Sequence, residues 1–96
     1  MELIVHDEAV AWYKDELDLE KGAFVRFFVR YGGCSTVQKG FSLGVKLDAP
    51  NAVGVSTVKE DITFYIDDHD LWYFEDNNLV VKYDEKLGEP EFHYEK

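Results

Sequence analysis

Ala23-Phe24-Val25-Arg26-Phe27-Phe28-Val29-Arg30-Tyr31 runs directly into Gly32-Gly33-Cys34-Ser35, and this stretch decides the fold. Val25, Phe27, Val29 and Tyr31 share one face under a period of two, while Phe24, Arg26, Phe28 and Arg30 share the other. A β-branched and aromatic run with that alternation is a strand. It is apolar on both faces apart from its two arginines, which is more burial than a sheet with one wet face requires. Part of this surface is therefore expected to be a subunit interface.

Working outward, Phe41, Leu43, Val45 and Leu47 alternate with Ser42, Gly44, Lys46 and Asp48, so a second strand returns after the glycine-bearing connection that holds Cys34. Asp48-Ala49-Pro50-Asn51-Ala52 is turn chemistry, and residues 53–61 are weakly patterned, a loop or an irregular strand. Ile62, Phe64 and Ile66 alternate again, and Asp68-His69-Asp70 then suits the start of a short helical element through Leu71, Trp72, Tyr73 and Phe74. Leu79, Val81 and Tyr83 predict a further strand, and residues 91–94 a last one after Gly88-Glu89-Pro90. Toward the N-terminus, residues 2–5 read as a short strand. A helix follows, capped by His6 or Asp7 and running to about Leu19, with Val10, Tyr13 and Leu17 on one stripe and Gly22 as its stop. The whole is one domain over residues 1–96, mostly β in an α+β arrangement with one N-terminal helix and one short later helix.

Hydrophobic residues at 46% and aromatics at 16% are those of a packed globular chain. Most of the aromatics, Phe27, Phe41, Phe64 and Trp72 among them, are expected to be core. Twenty acidic against ten basic side chains give a formal charge of -10. That charge repels nucleic acid phosphates and anionic lipid, which excludes both as partners and leaves a basic protein partner. The N-terminus has neither a basic flank nor a long apolar run, so no signal peptide or membrane span is expected. One cysteine forms no internal disulfide, and the expected compartment is the cytoplasm.

Cys34 is the one place where the sequence suggests chemistry. A thiolate is both a soft metal ligand and a nucleophile, and positive charge from Arg30 or Lys39 would favour it. His6, His69 and His93 lie on separate elements, so no cysteine-histidine pair is signalled. No phosphate loop, dinucleotide fingerprint or His-Glu-x-x-His helix occurs. Asp67-Asp68-His69-Asp70 resembles a ligand cluster on paper, yet consecutive side chains diverge, and helix capping accounts for it. No catalytic residue is assigned, and the protein is read as a non-enzyme.

The order of elements and the Phe27–Ser35 stretch resemble the HesB/IscA-like family, the A-type iron-sulfur cluster assembly proteins. Residues 2–9 look like that family's opening strand and helix start, and Gly33-Cys34-Ser35 looks like its Gly-Cys-Ser turn. Phe64-Tyr65-Ile66-Asp67 and Leu79-Val80-Val81-Lys82-Tyr83 are similar to its later strands. The resemblance implies an antiparallel β pseudobarrel or sandwich and a homo-oligomer such as a homodimer. It implies Cys34 as the cofactor-binding and metal residue for iron or an iron-sulfur cluster. The family's two further cysteines, a C-terminal Cys-Gly-Cys pair, have no counterpart in this sequence.

A dimer would thus supply two thiolates, half of what a two-iron cluster takes, so weak iron or cluster contact is expected rather than stable scaffolding, with iron-sulfur assembly proteins as partners. Two other functions are consistent with the residues. One is a protein-interaction or regulatory module that retained the fold and uses its acidic surface. The other is a redox or persulfide-carrying thiol at Cys34.

Overall fold

The computed structural model of the protein describes residues 1–33 and 40–96. In chain order the elements are β1 (Leu3–Val5), α1 (Asp7–Glu16), β2 (Phe24–Tyr31), β3 (Phe41–Leu47), β4 (Val53–Lys59), β5 (Ile62–Asp67), a 3-10 helix (Asp68–Phe74), β6 (Asn78–Asp84) and β7 (Glu89–Glu95). They form two sheets, three-stranded in the order β1-β6-β7 and four-stranded in the order β3-β2-β5-β4. The result is the expected mostly-β, α+β fold. Among the described residues it is an open sandwich with no closed barrel, and each sheet carries one parallel pair, β1 with β6 and β2 with β5, among otherwise antiparallel neighbours.

The two sheets share one core. Val25 and Phe27 of β2, Ile62, Phe64 and Ile66 of β5, Leu3 and Val5 of β1, and Leu79 and Val81 of β6 are all buried in one cluster. α1 adds Ala9, Val10 and Tyr13 to it. The helix lies beside β6 and β7, and its Tyr13 ring reaches across to the inward side of the four-stranded sheet, 5.8 Å from Phe27 and 6.1 Å from Phe64. Among the described residues no helix is long and apolar enough to cross a membrane.

Three elements depart from the sequence expectation. α1 ends at Glu16, not near Leu19, because Asp18 takes a left-handed conformation (φ 50°) that no continuing helix permits. Leu17 and Leu19 still pack on the core beyond that end. The weakly patterned segment after the Pro50 turn is a real strand, β4, irregular at one point where the register shifts between Val53 and Val55. Its order comes from its ladder with β5, which local alternation does not report. β7 begins at Glu89, so Pro90 lies inside it, which a strand at the edge of a sheet tolerates.

The β4–β5 hairpin closes through Glu60 and Asp61, both left-handed (φ 52° and 65°). Such two-residue turns favour Asn-Gly over two acidic residues with a Cβ. Asp61→Gly is expected to stabilise the protein by up to about 1 kcal/mol, since relief of the left-handed penalty exceeds the entropy glycine adds to the unfolded chain. A thermal melt rising by a few degrees is the expected reading, and a fall would show that the turn is unstrained.

Candidate functional site

Cys34 lies outside the described residues, as does Lys39, and the structure describes the base from which their loop springs. β2 and β3 pair to the end of their ladder at Tyr31 opposite Phe41, and the Gly32 N–H donates to the Gly40 carbonyl at 2.8 Å. Gly32, Gly33 and Gly40 all take positive φ (107°, 75° and 84°), conformations that side chains rarely adopt. At Gly33 a Cβ would also meet Ser42 Oγ at 3.0 Å. Ser42 completes this base by donating to the Gly32 carbonyl at 3.0 Å while its Oγ accepts from Arg30 Nε at 3.1 Å. The glycines therefore build a tight neck for the Cys34 loop, and Arg30 is anchored beside it.

An aromatic ladder borders that neck. Tyr31 meets Phe41 edge-on at 5.7 Å, and Phe41 meets Trp72 of the 3-10 helix at 5.3 Å. Tyr31 is 91% exposed, and Trp72, which composition predicts to be core, is 52% exposed, while Phe41 between them packs partly buried against the core. Aromatics gathered on a surface are characteristic of contact sites, because they bury large area with few rotatable bonds. Tyr31 stands out because its position on the inward face of β2 predicts burial.

The opposite face of the four-stranded sheet holds a polar lock. Arg26 Nη2 reaches Asp70 Oδ2 at 3.1 Å, and Nη1 reaches Asp48 Oδ2 at 3.3 Å. Asp70 also accepts the Val29 N–H at 3.4 Å, and the Tyr65 hydroxyl donates to the Asp48 carbonyl at 2.7 Å. β2 pairs with β5 only through Arg26, so beyond that point the 3-10 helix takes the place of a strand beside it. This lock fixes the helix, and with it Trp72, over the β2–β3 end.

The remaining candidate ligands are dispersed. His6 precedes α1, His69 bonds Asp67 through Nδ1 at 2.8 Å, and His93 pairs with Glu91 on β7. Asp67 caps the 3-10 helix by accepting the His69 N–H at 2.9 Å, Asp70 serves Arg26, and Asp68 is exposed, so the Asp67–Asp70 run diverges as its spacing predicts. Among the described residues no group of three or more His, Cys, Asp or Glu could hold a metal ion. This donor set does not fit a resident iron-sulfur cluster, which takes four ligands that are mostly thiolate.

The whole sequence, residues 1–96, matches the family described as iron-sulphur cluster biosynthesis. A Bacillus subtilis (strain 168) protein named pyruvate dehydrogenase inhibitor is 56% identical over 95 residues, covering 99% of this chain and 100% of the relative. Uncharacterised proteins of Staphylococcus haemolyticus and Staphylococcus saprophyticus are 39% and 38% identical, over 85% and 93% of this chain and 86% and 94% of their own lengths.

The Asp67 cap makes stability pH-dependent in a predictable direction. The His69 N–H, and then the His69 ring, hold the Asp67 carboxyl below its ordinary value of 3.8. A carboxyl depressed in the folded state contributes stability above its unfolded value and loses it as pH falls through the folded one. Asp67→Asn is therefore expected to be less stable than the wild type at neutral pH, with the difference closing below about pH 4. Urea midpoints of both proteins along a pH series test this, and a gap that stays constant into acid would refute it.

Proposed function

The chain belongs to the iron-sulphur cluster biosynthesis family, the HesB/IscA-like proteins, and from that premise we propose that it is a regulatory binding protein of the cytoplasm, not an enzyme. It docks on a pyruvate dehydrogenase complex and lowers its activity. The observation that carries this reading is the 56% identity, across essentially both full lengths, to the Bacillus subtilis protein named for that inhibition. Two properties of the chain support it. The charge of -10 suits a basic partner surface, and Tyr31 and Trp72 form an exposed aromatic contact site.

The family match and the glycine neck beneath Cys34 favour a second reading, in which iron or a cluster is cargo held weakly at Cys34 across an oligomer. One thiolate per copy leaves the other ligands to come from outside the chain.

Purified protein titrated into a pyruvate dehydrogenase assay that follows NADH formation separates the two. The expected result is a saturable loss of activity that Cys34→Ser retains and that weakens from low to moderate ionic strength, as a charge-steered complex should. No loss at saturating protein overturns the regulatory reading. Inhibition abolished in Cys34→Ser, with iron bound anaerobically by the wild type alone, would favour the second.

A further inference from the structure

The sandwich is unequal, three strands against four, and the inequality has a definite place. β1 lies against β4, and Phe92 of β7 meets Phe27 of β2 at 5.8 Å, so the smaller sheet covers β4, β5 and β2 and ends there. β3 is the strand left over. Its residues Phe41, Leu43, Val45 and Leu47 pair with Tyr31, Val29, Phe27 and Val25, which places them on the inward face. Phe41, Leu43 and Val45 are nonetheless only half-buried and Leu47 is 55% exposed. Phe41, Leu43 and Val45 pack against the core cluster from its margin, and among the described residues β3 and β7 are each the last strand of their sheet, with no strand paired to their outer edges.

We propose that the step between the edge of β7 and the inward face of β3 receives one extended strand of a partner protein, apolar on one side and basic on the other. This proposal rests on the reading of the chain as a dehydrogenase regulator. A strand fits because strands in a sheet lie about 4.8 Å apart, so one addition beside β7 falls over β3 and completes a four-on-four sandwich. Its inward side must be apolar to meet Phe41, Leu43 and Val45. Its outward side must be basic, because the outward residues of β7 beside it are Glu89, Glu91, His93 and Glu95. The same residues disfavour β7 of a second copy, which would set glutamate opposite glutamate across an edge that carries Pro90. Tyr31 and Trp72, flanking Phe41 at one end, form the anchor for the entering strand.

Hydrogen exchange of the protein alone and with purified pyruvate dehydrogenase complex tests the placement. Added protection is expected in β7 and β3, with none in β1 or α1. The double variant Glu89→Lys/Glu91→Lys, on the outward face of β7, is expected to keep the wild-type circular dichroism and to weaken inhibition at least tenfold, with a shallower salt dependence. Tyr31→Ala is expected to weaken it without that change in salt dependence. Inhibition with protection confined to other elements, or unchanged in both variants, overturns the docking surface while the regulatory reading stands. Protection of β7 and β3 that rises with protein concentration in the absence of the complex assigns the step to a second copy and overturns the partner strand. Absence of inhibition by the wild type overturns both.

Discussion

Phe27 is the point on which the structure depends. Its ring stacks on Phe64 of the neighbouring strand at 6.1 Å, meets Tyr13 of α1 at 5.8 Å and meets Phe92 of the opposite sheet at 5.8 Å. One side chain therefore joins both sheets and the helix, and it is fully buried. Removing such a ring costs about 3–5 kcal/mol, against about 5–15 kcal/mol of total stability for a domain of ordinary robustness. Tyr13 and Tyr94 extend the same core, and burial raises the hydroxyls of both far above the ordinary tyrosine range, so they stay neutral. The Tyr94 hydroxyl is satisfied by Tyr73 at 3.0 Å.

Around that centre the molecule is asymmetric in a way that bears on function. The fully buried cluster reaches β2, and Phe41, Leu43 and Val45 of β3 pack against it from a partly exposed margin. The 3-10 helix covers only the far end of that margin and is held there by Arg26 between Asp48 and Asp70. That arrangement leaves apolar and aromatic surface at one rim of an otherwise acidic protein. Breaking such an ion pair by removing one partner would leave the other charge without its partner in a part-buried place. Here the pairs hold Trp72 where the β2–β3 end and the neck of the Cys34 loop meet.

Family membership does not by itself fix the biochemical role of a chain. The chain belongs to the cluster-biosynthesis family, but its sequence carries one cysteine, and among the described residues no group of three or more His, Cys, Asp or Glu could hold a metal ion. A scaffold can outlive its original chemistry because the core residues that specify it are distinct from the residues of the site.

The alternation of Phe24–Tyr31 and Phe41–Leu47, the N-terminal helix and the family were readable from the chain alone, because period, turn glycines and the Gly-Cys-Ser stretch are local signals. Cys34 was readable as the candidate thiol for the same reason. The tertiary structure decided what depends on neighbours distant in sequence. β4 is a strand because β5 pairs with it, and Asp70 is a lock because Arg26, 44 residues away, faces it. Tyr31 is surface although it stands on the inward face of β2, and Trp72 is surface although it is a large apolar ring. An apolar residue's type records that it prefers burial. Whether anything arrives to bury it is a property of the assembled layers, and no local pattern encodes that.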